Sequence, residues 1–187
     1  MTAHSKWYSD SVGALVDLST QRVGPLEHRY FAQRLVGLHA GRSTMAAMMK
    51  RALASYLGTM IVMVGLDMLW LGVIAKPIYQ QGIGHLMADK PNVPVAVLFY
   101  ALFVLGLVVF AVAPAGPARG WGKTIGTAAL FGFFAYATYD LTNLATLKQW
   151  PIGLSVLDMV WGTCISAAAA AGGKALMDWA APAAATN

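Results

Sequence analysis

Three aspartates stand inside otherwise apolar runs: Asp67, Asp140 and Asp158. A carboxyl at the centre of a membrane helix costs roughly 2.5–3.5 kcal/mol on insertion scales, so such a residue is by default a ligand, proton or catalytic group. The flanking residues fit that use. Leu66-Asp67-Met68-Leu69-Trp70 and Leu157-Asp158-Met159-Val160-Trp161 share one pattern, and Tyr139-Asp140-Leu141-Thr142-Asn143 is a variant of it. In each, a hydrogen-bonding side chain follows the acid by three residues and so lies on the same helix face. An indole N–H or an Asn amide can donate to a carboxylate on an adjacent helix. Four chemistries suit this set. The acids can bind a small polar or amphiphilic ligand. They can act as a general base with two ligands for a hard cation such as Mg²⁺, or relay protons or cations. They can also serve as interhelical hydrogen-bond glue, with Trp70 and Trp161 as packing aromatics.

The elements that carry these acids follow from composition. Of 187 residues, 58% are hydrophobic and 11% charged, against roughly a quarter charged in a soluble domain. Mean hydropathy is +0.58, more apolar surface than one soluble core of this size hides, and the opposite of a disordered chain. A bilayer core takes about 20 apolar residues of helix, and residues 52–174 divide into four such runs, at about 53–75, 95–113, 123–147 and 152–171. Continuous apolar runs lack the alternation of a barrel strand, so the expected fold is all-α, a polytopic membrane protein with a four-transmembrane-helix bundle. Asp67 lies eight residues before Ala75, Asp140 eight before Lys148, and Asp158 six after Ile152. At 1.5 Å per residue all three sit roughly 9–12 Å below the outer helix ends, in one layer. Gly58, Gly65 and Gly72 form one small-residue stripe, and Gly162, Ser166 and Ala170 another; both suit close helix packing. Span two, with no ionisable group except Tyr100, is expected to face lipid. Gly172-Gly173 are expected to end span four.

Residues 1–51 hold seven Lys or Arg and three acids, a net +4, whereas the other 136 residues carry +1. This basic extension lacks the h-region and cleavage site of a secretory signal. It reads as a disordered tail, a short amphipathic helix from Leu26 to Leu38, or sequence upstream of a start near Met45. Residues 175–187 read as a C-terminal tail. Lys and Arg beside the spans number six on one side (Arg42, Lys50, Arg51, Arg119, Lys123, Lys174) and three on the other (Lys76, Lys90, Lys148), which places both termini in the cytoplasm. On the outer side, Lys76-Pro77-Ile78-Tyr79 opens a long loop in which Tyr79, Ile83, Leu86 and Met87 recur at helical spacing, the pattern of a short lid helix started by Pro77. Lys76, His85 and Lys148 would rim the acidic layer. Lys148-Gln149-Trp150-Pro151 reads as a tight turn with Trp150 as an interfacial anchor.

The run Ala135-Tyr136-Ala137-Thr138-Tyr139-Asp140-Leu141-Thr142-Asn143, with Asp67-x-x-Trp70-Leu71-Gly72, Ala75-Lys76-Pro77-x-Tyr79, Phe99-Tyr100, Trp150-Pro151 and Asp158-x-x-Trp161-Gly162-Thr163, resembles a family of bacterial inner-membrane proteins known as a domain of unknown function. The resemblance covers about residues 52–172. It implies four membrane helices in a bacterial inner membrane and brings no activity, substrate or cofactor.

Soluble-enzyme signatures are missing: there is no P-loop, nucleophile elbow or His-Glu-x-x-His pair. His4, His28, His39 and His85 are scattered and no span contains a histidine, which argues against a histidine metal site or paired haem ligands. The single cysteine, Cys164, excludes an internal disulfide. Basic residues without interleaved aromatics give no footprint for nucleic acid. The expected partners are therefore membrane lipids and, in a homo-oligomer, a second copy of the chain. The candidate ligand-binding residues are Asp67, Trp70, Lys76, His85, Tyr139, Asp140, Asn143, Lys148, Asp158 and Trp161, with no metal site assigned, the cofactor unknown and enzymatic activity left open.

Overall fold

Uninterrupted stretches of Ala, Leu, Met and Phe form helices, and breaks fall where Pro, Gly and polar residues gather. The computed structural model describes residues 25–115 and 120–180, and among these there is no strand. The N-terminal 24 residues, Arg119 and residues 181–187, which figure in the expected extension, orientation and tail, lie outside the described residues. Helix α1 spans Pro25–Leu69 and passes into a π-helical turn, Trp70–Ile74, closed by the Ala75 N–H donating to the Trp70 carbonyl at 2.8 Å. Helix α2 is Lys76–Ile83, followed by a 3₁₀ turn, Gly84–Leu86. Helix α3 (Val93–Leu107) continues through a second π-helical turn, Val108–Val112, into a 3₁₀ turn, Ala113–Ala115. Helices α4 (Trp121–Thr146) and α5 (Ile152–Trp179) complete the chain. The chain divides into units 1–45 and 46–187, and the description that follows is of the second.

Thr44–Ile74, Val93–Val112 and Ile152–Trp179 are long and apolar enough to cross a membrane. The third expected span is α4, whose 26 residues make about 39 Å at 1.5 Å per residue. It has the length of a crossing but a more polar composition than the other three, because Thr124, Thr138, Asp140, Thr142, Asn143 and Thr146 dilute its apolar residues. These polar groups are accommodated locally. That holds for Thr138 and Thr146, which donate to the carbonyls four residues back, each at 2.7 Å, satisfying a hydroxyl without water, whereas Thr124 and Asp140 are fully buried with side-chain oxygens that have no well-formed hydrogen bond.

Helix starts use recognisable devices. Pro77 occupies the first turn of α2, where its missing N–H costs nothing. The Asn92 side chain caps α3 by accepting from the Val95 N–H at 3.3 Å. Gln149, at φ 61°, makes the left-handed turn between α4 and α5. Trp150 is buried there and donates to the Ser155 hydroxyl at 2.9 Å.

The two small-residue stripes behave differently. Gly162, Ser166 and Ala170 are all buried, and a Cβ on Gly132 of α4 would lie 2.1 Å from the Gly162 carbonyl and 2.3 Å from the Ser166 hydroxyl. The helices α4 and α5 thus touch backbone to backbone, as small residues allow in membranes. Of the other stripe only Gly58 makes such a contact, 2.7 Å from the Gly172 carbonyl, whereas Gly65 and Gly72 face open space. Gly172-Gly173 do not end the last helix, which runs to Trp179. They let α1 close on α5: a Cβ at Gly173 would fall 2.0 Å from the Thr59 hydroxyl and 2.8 Å from the Ser55 carbonyl. The exposed side chains of α3 include Val95, Val97, Leu98, Leu102, Leu105, Val109 and Phe110, a face suited to lipid.

Candidate functional site

The π-helical turn after Leu69 widens the end of α1 just past Asp67; such bulges frequently occur at functional sites. Asp67 is buried, 3% exposed. Its carboxylate accepts from the Tyr100 hydroxyl of α3 at 2.9 Å and from the Trp161 indole N–H of α5 at 3.1 Å. One acid therefore ties three helices together. The Trp161 ring in turn stacks on Trp70, with centroids 4.2 Å apart and planes 8° from parallel. The two tryptophans of the repeated Leu-Asp-Met-x-Trp pattern thus meet face to face.

Asp158 of α5 is also buried and accepts from the Tyr79 hydroxyl of α2. The short helix expected here forms as α2 and is tied to α5: besides this bond, Gly82 packs so closely that a Cβ there would lie 3.2 Å from Pro151. Burial, reinforced by the bond to Asp158 and its charge, pushes the Tyr79 phenol well above its ordinary value. The hydroxyl consequently stays protonated at physiological pH and is a lasting donor.

Asp67 and Asp158 open on one cavity of about 470 Å³, inside the roughly 300–1,000 Å³ range of small-molecule sites. Aromatic rings dominate its walls: Tyr79, Phe99, Tyr100, Phe103, Tyr136, Tyr139 and Trp161, with Leu71, Ala96 and Ala135 between them. A second cavity of about 750 Å³ lies alongside, lined by side chains between Met60 and Gly72 on α1 and its π turn, by Lys76 and Tyr79 of α2, by Met87, and by side chains between Pro91 and Ala101 around α3. Leu71, Tyr79, Ala96 and Tyr100 belong to both walls.

The ten residues singled out by sequence are placed as follows. Asp67, Tyr139, Asp158 and Trp161 line the acid cavity, and Lys76 lines the second cavity. Trp70 supports Trp161, and its own buried indole N–H, beside Tyr79, makes no hydrogen bond of good geometry. Asn143 is half-buried on α4 near Tyr139. His85 and Lys148 are exposed and line neither cavity. Asp140 is the displaced member of the expected layer. It is 0% exposed, does not line the cavity, and neither carboxylate oxygen has a hydrogen-bond partner of good geometry. It faces α5 beside Ser155, with the charge of Asp158 close by. Asp158 is thus within electrostatic reach of both Asp67 and Asp140. Among the described residues, no three His, Cys, Asp or Glu side chains converge to hold a metal ion.

Tyr79, Tyr100 and Tyr136 are the functional candidates beyond the sequence-based set. In Tyr100 and Tyr136 the signal was an aromatic hydroxyl within an apolar span, together with a place in the motifs that resemble the family; in Tyr79 it was the same motifs and its place in the short helix after Pro77.

Fold and site together define an all-α membrane protein with an acid-and-aromatic cavity among its helices. The chain belongs to the family described as Predicted membrane protein (DUF2177), whose model matches residues 52–175. No curated protein and no solved structure matches the chain.

Proposed function

We propose that this chain is a multi-pass protein of a bacterial inner membrane, both termini cytoplasmic, that binds or processes a small polar or amphiphilic, lipid-like ligand in the Asp67–Asp158 cavity. The observation that carries the reading is the pairing of two buried carboxylates with one aromatic-walled cavity of about 470 Å³. Buried acids used only for packing need no space beside them. Membrane lipids are the partners of this reading. Lipids retained by the protein purified in mild detergent, compared between wild type and Asp67→Asn or Asp158→Asn, test it: loss of a retained lipid from a folded variant is expected, and an unchanged lipid profile overturns it. Reporter fusions at the two ends test the orientation, with cytoplasmic signal expected from both.

Two other readings each have an observation behind them. Asp67 bonded from α3 and α5 also suits pure glue, for which Asp67→Asn would weaken folding with no change in lipid profile. Asp158 between Asp67 and Asp140 suits a proton or cation relay. Proteoliposomes under imposed gradients decide that case, and flux abolished by Asp158→Asn would favour it.

A further inference from the structure

The two carboxylates in the acid cavity have only neutral donors. Asp67 accepts from Tyr100 and Trp161, Asp158 accepts from Tyr79, and no Lys, Arg or His is among the residues lining that cavity. Buried charge of one sign calls for a counter-charge, and these two acids lie within electrostatic reach of one another. Rings walled around a pair of carboxylates are the chemistry that selects an organic cation, since a ring face attracts an ammonium and strengthens that attraction when desolvated. The neighbouring groove is of the opposite character. Met60, Val64, Met68, Val97 and Ala101 make it apolar, and Lys76 is its one charged lining residue. Its wall on α1 and the π turn, from Met60 to Gly72, extends about 18 Å at 1.5 Å per residue, a little more than one leaflet of a bilayer core about 30 Å thick. Cation-seeking cavity and apolar groove share the wall of Leu71, Tyr79, Ala96 and Tyr100.

We infer that the ligand is a zwitterionic phospholipid whose headgroup ends in an amine: the ammonium sits between Asp67 and Asp158, the phosphate lies toward Lys76, and one acyl chain occupies the groove. This rests on the proposed lipid-binding role and names the ligand class. Tyr79 stands on the shared wall, so the lid that bonds Asp158 also borders the acyl groove.

The test is native mass spectrometry of the purified full-length protein with phosphatidylethanolamine, phosphatidylglycerol and diacylglycerol of identical chains at equal concentration. The amine lipid should be retained about tenfold over either of the others, the ratio that 1.4 kcal/mol represents. Asp158→Asn should abolish that preference. Val97→Trp and Lys76→Gln act at exposed positions and serve if Asp158→Asn does not fold. The first should reduce retention of all three lipids by narrowing the groove, and the second should reduce retention of both phospholipids relative to diacylglycerol. Equal or better retention of phosphatidylglycerol or diacylglycerol overturns the amine assignment while leaving the lipid-binding role standing. Undiminished retention in the folded variants overturns the placement of chain and headgroup. Folded wild type that retains none of the three overturns both.

Discussion

Trp161 donates its indole N–H to Asp67 across the interface of α5 and α1, at 3.1 Å, while its ring lies flat against Trp70 three residues beyond that acid. Polar bond and stacked ring fix the same side chain from two directions, so the position of Asp67 and the wall of the cavity are set together. Replacing the indole with Trp161→Phe keeps an aromatic ring and removes the donor. Interhelical hydrogen bonds in membranes average about 0.6 kcal/mol and reach about 1.7. A double-mutant cycle of Trp161→Phe with Asp67→Asn, read from unfolding in detergent, should give a coupling energy toward the upper part of that range because the acceptor is ionisable and buried. Coupling near zero would mean that Tyr100 alone holds Asp67.

The lid has a pH signature. Tyr79 is raised in the folded protein, chiefly by burial and then by its bond to Asp158, whereas an unfolded tyrosine titrates near pH 10. A group with a raised folded value contributes stability in full below the unfolded value and loses that contribution as pH climbs toward the folded one. Wild type should therefore lose stability faster than Tyr79→Phe above about pH 10, and the two curves should run parallel between pH 6 and 9. Parallel curves throughout would mean that the phenol is not buried against Asp158. Hydrogen exchange adds a direct view, since Tyr79→Phe should speed exchange in residues 76–86 without affecting α4.

Glycines give a contrast that depends only on packing. A Cβ at Gly132 would meet backbone of α5 and one at Gly173 would meet α1, both under 3 Å, while Gly65 and Gly72 have nothing within 4 Å. Gly132→Ala and Gly173→Ala should destabilise by about 1–3 kcal/mol, because backbone cannot step aside as a side chain can. Gly65→Ala should instead stabilise by roughly 0.5–1 kcal/mol through helix propensity. Thermal unfolding of the three variants in one detergent orders them, and a destabilised Gly65→Ala would show that this stripe also packs.

Apolar run length made the helices legible in the sequence, and the cost of charge in lipid made the acids so. What period and composition could not convey was rotation about each helix axis. Asp67 and Asp158 face the cavity, but on α4 the face carrying Gly132, Tyr136 and Asp140 meets α5 opposite Gly162 and Ser155, and only its neighbours Ala135 and Tyr139, with Tyr136, reach the cavity. Depth placed Asp140 in the acid layer; azimuth took it out of the cavity. Gly172-Gly173 misled for a related reason: a glycine pair reads as a helix stop in water, whereas between two membrane helices it is a place where backbones meet. Tyr100 and Tyr136 were hidden because a tyrosine in an apolar run is indistinguishable from packing until the fold brings it to a cavity, as with Tyr136, or its hydroxyl to a carboxylate on another helix, as with Tyr100 and Asp67.

Asp140 is the most exposed of the acids to a thermodynamic test because it is the least compensated. It is fully buried, neither oxygen has a well-formed hydrogen bond, and Asp158 adds a charge of the same sign nearby. A buried polar group without partners costs about 1–3 kcal/mol. Asp140→Asn keeps the shape, cannot ionise, and adds an amide donor that Ser155 can accept. The substitution should raise unfolding stability by about 1 kcal/mol, seen as a higher midpoint in detergent. Proteins keep such locally unfavourable groups where function needs them, so the same variant separates two roles for Asp140. If stability rises and the retained lipid is unchanged, the acid acts only on packing between α4 and α5. If stability rises while lipid retention falls, Asp140 sets the charge felt by Asp158 and is a positioning residue for the cavity.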